Sequence, residues 1–447
     1  MAKILIILPF SGAQFTGGLA VVNEQLTKAL SEDHDVRLLT CQLNSKVMAT
    51  QEGHGKAKIL VIVSEDTLEM KSPGGKAGAD ERNKLYDFIN SDAILEGDQV
   101  TGLLSDWTPD FILGHSRFSG PAAIKLRNRK YPNAQVGYFL HSYPRAEGIL
   151  LTGYEAFEEP VDVELAEKKL AEEVKWIVQA DVVLAMGPLM RWAATVMLKD
   201  TKASKFRVHE VISGVPDPAP NYTKPPSTTN EVTLILSGRA AAAAKGFQEI
   251  VIAALQLRNP EGPNTKLKTS VRIKVLGMDE ATFQPYTDRK GIQHGARRIN
   301  NDSVNEWLSD LFGEQLIGEK VNMEVLSPVP QDRVLNEYAL AHGVLSAAYF
   351  EHFGLVPLEG LACGRPVLIS ELSGSGQFLK SRFGPLGEEC VVQDFSPEYP
   401  RPLTSDVLRI IPPHAFDKRA DAWADAISGL VNNIDQRLES DSKSDQR

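Results

Sequence analysis

The chain predicts an α/β protein made of two successive halves, each organised around a parallel sheet. Three observations carry this. Short apolar runs alternate with amphipathic helical stretches along most of the chain, a Pro-rich polar segment interrupts that alternation near the middle, and the alternation then resumes. Short strands separated by helices form βαβ units, and βαβ units make parallel sheets.

In the first half, residues 3–8, 36–40, 59–63, 111–114, 135–140 and 181–185 read as strands, and 21–30 and 163–178 as helices. The opening run superficially resembles a signal sequence, but it stops at Pro9 and no small-residue cleavage site follows. A buried first strand fits it better. Residues 217–230 hold Pro218, Pro220, Pro225 and Pro226 among polar residues, the composition of an interdomain linker.

In the second half, 232–236, 271–276, 321–326, 343–346 and 366–370 read as strands and 247–256 as a helix. Residues 279–318 begin polar and irregular, with Arg289, Lys290, Arg297 and Arg298 close together. They are expected to form an insertion or variable helical region with a solvated charged face. The expected division is therefore 1–216, a linker at 217–230, and a second domain at 231–413. A last helix at 414–438 is expected, able to cross back to the first domain, with a disordered tail at 439–447.

Composition bounds the function. Of 447 residues, 43% are hydrophobic and 24% charged, with a formal net charge of −10. That balance suits a globular protein of two or three domains. It argues against a general nucleic-acid binder, which needs a basic face. The three cysteines, Cys41, Cys363 and Cys390, show no metal-ligand spacing and fit a reducing compartment. A cytoplasmic location is expected, with peripheral attachment to a membrane left open. No run approaches the ~18 apolar residues of a bilayer span.

Strand-end loops carry the chemistry in parallel sheets. Gly17-Gly18 follows the first strand and opens a helix, letting backbone approach a bulky ligand. It is not a Gly-x-Gly-x-x-Gly fingerprint, so a dinucleotide site is not indicated. His115 and His141 each end a strand, and Arg145 follows the second. After the linker, Gly238-Arg239 ends a strand and Lys245-Gly246-Phe247 opens a helix, with five alanines between. A guanidinium fork and a compact ammonium so placed can both reach a diphosphate. The densest motif runs from Glu351-His352-Phe353-Gly354-Leu355-Val356-Pro357 through Leu358-Glu359 to Cys363-Gly364-Arg365-Pro366-Val367. Pro357 suits a helix start and Gly364 a helix stop, so Glu351 lies on a loop and Glu359 in a helical first turn. Two such carboxylates can accept hydrogen bonds from a polyhydroxyl ligand.

Taken in chain order, these motifs resemble the retaining GT-B glycosyltransferases of the group 1, family 4-like kind. The resemblance spans nearly the whole chain. It implies two Rossmann-like domains facing each other across a cleft, the first binding the acceptor and the second a nucleotide sugar. It implies donor-binding roles for Gly17, Gly18, Gly238, Arg239, Lys245, Glu351, Phe353, Gly354, Leu355, Val356 and Glu359. Glu351 would contact the sugar, Glu359 the ribose, and Arg239 and Lys245 the pyrophosphate. His115 and Arg145 would serve the acceptor, and His141, Arg239, Lys245 and Glu351 the catalysis. The implied reaction moves a sugar from a nucleotide-diphosphate donor to a hydroxyl of a small-molecule, glycan or lipid-linked acceptor, with retained configuration and neither metal nor cofactor. Two departures from the pattern stand out: Ser213 replaces the usual Asn before Gly214, and Gly376-Gln377 replaces Pro-Glu. A nucleotide-sugar epimerase on the same scaffold, or a non-catalytic sugar-nucleotide binder, are the rival readings.

Overall fold

The computed structural model describes residues 1–8, 18–43, 55–64, 86–144, 163–199, 201, 208–215, 231–238, 245–258, 267–277, 280–283, 286–287, 293–294, 297–300, 321–326, 331–348, 351–394 and 414–434. The linker, the alanine tract and the tail lie outside these residues, as do Gly17, Arg145 and Arg239. The chain divides into two compact units: Met1–Arg145 with Glu167–Pro216, and Ala146–Ala166 with Asp217–Arg447.

The first unit holds β1 (Lys3–Leu8), β2 (Asp35–Leu43), β3 (Lys58–Ser64), β4 (Phe111–His115), β5 (Gln135–Leu140), β6 (Val182–Met186) and β7 (Val208–Val211). They pair in the order β3-β2-β1-β4-β5-β6-β7, every pair parallel. Leu5, Ile6 and Ile7 are fully buried, as expected of a central parallel strand covered on both faces. The helices Gly18–Asp33, Ser116–Arg129, Val163–Ile177 and Gly187–Leu198 belong to the crossovers.

The second unit holds β8 (Glu231–Ser237), β9 (Ser270–Leu276), β14 (Val321–Leu326), β15 (Gly343–Ser346), β16 (Val367–Ser370) and β17 (Val391–Val392). Their order is β14-β9-β8-β15-β16-β17, again parallel throughout. Counted within each unit, both sheets run 3-2-1-4-5-6, the doubly wound order, with a seventh strand added in the first. The winding reverses between β1 and β4, and between β8 and β15; ligands bind at such switch points, beyond the carboxyl ends of the strands.

Alternation along β8 sorts the core of this unit. Leu234 and Leu236 face Phe247, Ile250 and Ala254 of the helix Phe247–Arg258 and Trp423, Ile427 and Leu430 of the helix His414–Asn432. Ile235 faces the opposite layer with Tyr338, Val344, Ile369 and Leu379. Each such buried apolar side chain contributes about 1.5–3 kcal/mol.

The described part of the 279–318 segment is not helical. β10 (Glu280–Phe283) pairs antiparallel with β13 (Arg297–Asn300), and β11 (Tyr286–Thr287) with β12 (Gln293–His294). Thr282, Phe283, Tyr286, Thr287 and Ile299 are strand formers, a preference that polarity had masked.

The helix His414–Asn432 is fixed by a buried ionic network as well as by packing. Arg419 Nη2 donates to Asp394 (2.5 Å) and to the Ala347 carbonyl (3.2 Å), and Trp423 Nε1 donates to Asp394 (3.0 Å). Ser370 Oγ donates to the other Asp394 oxygen (3.0 Å), and Glu249 lies 3.9 Å from Arg419. Both acid side chains are fully covered.

Candidate functional site

In the second unit the motif residues converge at the β8/β15 switch point. β8 ends at Ser237, and Gly238 follows with φ +132°. Lys245 and Gly246 then lead into the helix Phe247–Arg258. Gly246 has φ +74°, and a Cβ there would stand 2.1 Å from the Ala347 carbonyl oxygen. Only glycine fits so close an approach in the left-handed region. The contact seats the start of this helix on the exit of β15 and fixes where the Lys245 side chain begins.

From β15 the chain passes Ala347 and Ala348 to Glu351. Lys245 Nζ and Glu351 Oε1 lie 2.5 Å apart, with the two side chains 29% and 21% exposed. Gly354, at φ +83°, makes this possible, because a Cβ there would meet Glu351 Oε2 at 2.8 Å. The loop's backbone is pinned as well: Gly374 N–H donates to the Glu351 carbonyl (2.8 Å) and Ser375 N–H to the Phe353 carbonyl (2.7 Å). A Cβ on Gly374 would stand 2.0 Å from the His352 carbonyl oxygen. The segment in which the sequence departs from the family pattern therefore holds the first carboxylate in place. Sequence spacing alone does not reveal this cross-contact.

Glu359 stands in the first turn of the helix Val356–Ala362, 4% exposed, with Pro357 second in the helix rather than first. Gly364, at φ +68°, ends the helix in a Schellman motif: its N–H donates to Leu361 O (2.8 Å) and Arg365 N–H to Gly360 O (3.0 Å). Phe353 is buried and meets the Phe378 ring edge-on at 5.8 Å. Tyr338, missed in the sequence, is fully buried, and burial first, then the Glu359 charge, holds its phenol well above its ordinary pKa. It is a neutral group beside an anion. Burial also pushes the Glu249 carboxyl up to about 8, against the opposing pull of Arg419. Near neutral pH Glu249 is largely uncharged, so it does not cancel the positive end of the helix that Lys245 precedes. Gly238, Lys245, Glu351, Phe353, Gly354, Leu355, Val356 and Glu359 thus gather at one sheet end.

The first unit brings together a different set. Gly18 begins the helix Gly18–Asp33. His115 and His141 close β4 and β5, with His115 Nδ1 2.8 Å from His141 Nε2. His115 is fully buried, and burial lowers its pKa to about 3, so its ring is neutral. Ser116 turns the chain from β4 into the helix Ser116–Arg129 at φ +40°, unusual for a residue with a side chain. Its Oγ accepts from His141 N–H (3.0 Å) and donates to the Phe139 carbonyl (3.4 Å). Ser119 Oγ accepts from His115 N–H (3.0 Å) and donates to the Ile7 carbonyl (2.5 Å), tying β4 to β1. Behind them, buried Glu173 accepts from Tyr138 Oη (2.8 Å) and from Arg117 N–H (3.2 Å) at the helix start. Among the described residues, no cluster of three His, Cys, Asp or Glu side chains could hold a metal ion, and no helix is long and apolar enough to cross a membrane.

The sequence model of family 4 glycosyltransferases in conflict systems matches residues 12–444. The chain belongs to that family. No curated protein matches this glycosyltransferase. Among solved structures it is similar to sucrose-phosphate synthase from Thermosynechococcus elongatus, with a TM-score of 0.56 and 16% identity over 100% of this chain and 99% of the other. It is similar to a trehalose-6-phosphate structure from E. coli bound with UDP-2-fluoro glucose (TM-score 0.54, 14% identity, 99% and 96% covered). A trehalose 6-phosphate synthase from Burkholderia multivorans aligns likewise (TM-score 0.54, 14% identity, 99% and 92% covered). At such identities the likeness is one of fold, and the fold is GT-B: two Rossmann-like domains.

Proposed function

We propose that this glycosyltransferase moves a sugar from a nucleoside-diphosphate donor to an acceptor hydroxyl with retention of anomeric configuration, without a metal ion or cofactor. The observation that carries the reading is the Lys245–Glu351 pair, set at a switch point by two left-handed glycines and followed by buried Glu359. Departure of the diphosphate develops negative charge. Lys245 and the start of the helix Phe247–Arg258 stabilise it electrostatically, with Arg239 as the bidentate partner. Glu351 accepts from sugar hydroxyls and Glu359 from the ribose. His141, His115 and Arg145 serve the sugar and the acceptor, which is a small molecule, a glycan or a lipid-linked saccharide. Gly17 and Gly18 let backbone approach the donor. Because the E. coli neighbour holds UDP-2-fluoro glucose, a uridine-diphosphate sugar is the first donor to test.

The test presents a panel of nucleotide sugars and saccharide acceptors, with product configuration read by NMR and parallel reactions in excess EDTA. The expected result is transfer with the donor's anomeric configuration, unchanged by chelation. An inverted product, loss of activity restored by Mn²⁺, or epimerisation without acceptor would each refute the reading. A donor that binds and is never turned over would favour the non-catalytic alternative.

A further inference from the structure

The histidine pair in the first unit holds more information than its place in a motif. A 2.8 Å contact between two imidazole nitrogens requires a proton on one of them and a lone pair on the other. The two assignments differ at the far side of His115, whose Nε2 is buried and has no hydrogen-bond partner among the described residues. If His115 Nδ1 accepts, its own proton sits on Nε2 as a buried, unpaired donor. If Nδ1 donates, the unpaired group is only an acceptor lone pair. Orphaned buried N–H groups are the rarer of the two in folded proteins. The ring is also kept neutral by burial, so a form with protons on both nitrogens is not available.

We infer that His115 is a positioning residue that donates its Nδ1 proton to His141 Nε2 and thereby holds His141 as the Nδ1–H tautomer. His141 then presents a hydrogen-bond donor and not a base: Nε2 is occupied by the His115 proton, and Nδ1 carries its own. Whatever group meets Nδ1, within the chain or in a ligand, is therefore a hydrogen-bond acceptor. The surrounding structure agrees. The two rings lie within 25° of parallel, with centroids 5.0 Å apart, and Phe139 packs on His141 at 4.2 Å. Ser116 fixes the His141 backbone through its Oγ at the expense of a left-handed φ, a strain that persists only where the surroundings over-determine it. Backbone and ring of His141 are thus both set from β4.

The tautomer does not depend on the proposed reaction; only its kinetic consequence rests on that reading. The test is NMR of the unliganded full chain with ¹⁵N-labelled histidine, His141 being assigned by its loss in His141→Gln. The wild type is expected to show His141 as the Nδ1–H form. His115→Phe, similar in size and lacking the donor, is expected to shift His141 toward the Nε2–H form that a free histidine side chain prefers. In that variant kcat should fall by about tenfold, with donor KM little changed. A wild-type His141 in the Nε2–H form overturns the inference, and so does an Nδ1–H form that survives in folded His115→Phe. If His115→Phe does not fold, the wild-type tautomer alone decides. A chain with the Nδ1–H tautomer and no transferase activity refutes the proposed function and leaves this inference standing. Transferase activity with an Nε2–H tautomer does the reverse.

Discussion

Replacing Glu351 with Gln should make the protein bind a nucleoside diphosphate more tightly, even as it slows transfer. The substitution keeps the side chain's size and removes one negative charge 2.5 Å from the Lys245 ammonium. A hydrogen bond to a charged group contributes about 1.5–3 kcal/mol when well covered, and an exposed ion pair about 0.2–1 kcal/mol. With side chains 29% and 21% exposed, this pair falls between the two, at about 1–1.5 kcal/mol. On the proposed function, an arriving diphosphate draws Lys245 away from that partner. Without the partner, affinity should rise about five- to tenfold at low salt, and the gain should shrink as salt screens the charges. Removing the carboxylate also relieves its direct repulsion of the phosphates. The share that runs through the lysine is therefore isolated by a double-mutant cycle with Lys245→Ala, followed by calorimetric titration. Unchanged or weaker diphosphate binding in Glu351→Gln, or an equal gain with and without Lys245, would refute the reasoning.

Other changes probe the supports around that pair. Lys245→Ala should weaken diphosphate binding by about 1.5 kcal/mol, roughly tenfold, with the urea midpoint unchanged; wild-type affinity would remove Lys245 from the donor site. Gly246→Ala, which adds a Cβ at φ +74° within 2.1 Å of a carbonyl oxygen, should destabilise the second unit by about 2–4 kcal/mol, and an unshifted urea midpoint would contradict that geometry. Glu249 has its folded pKa raised from 4.5 to about 8, so its contribution to stability is present below 4.5 and is lost as pH rises toward 8. Glu249→Gln should therefore gain stability over the wild type from about pH 5 to about pH 8, and a constant difference across that window would count against a buried, protonated carboxyl.

Much of the architecture was legible because buried parallel strands are nearly continuous apolar runs. Lys3–Leu8 and Gln135–Leu140 appear where those runs begin and end. β7 and β17 were missed: four and two residues long, they are too short for a pattern to register. In the candidate site, the Glu351 loop, the Glu359 helix turn and the strand-end histidines were readable because local chemistry marks each of them. Proline and glycine bracket the helix, and polar residues end apolar strands. The His115–His141 hydrogen bond, the hold of Gly374 on Glu351 and the Glu249–Arg419–Asp394 network were not readable. Each joins residues that only the wound sheet brings together, and Arg419 and Glu249 individually read as ordinary surface charges. The hairpins at 280–300 were hidden for another reason, since their strand formers sit among charged residues that suggest a solvated helix.

The network around Arg419 bears on how the protein is made. Asp394 and the Ala347 carbonyl sit at the ends of the second sheet, and their partners Arg419 and Trp423 arrive on the helix His414–Asn432. Domains fold in order of synthesis, the N-terminal one first. While the ribosome is still translating residues before that helix, the nascent second sheet carries the Asp394 carboxylate without its Arg419 and Trp423 donors and an apolar face without the helix that covers it. The Lys245–Glu351 pair is therefore expected to reach its final geometry only after the helix His414–Asn432 has been made.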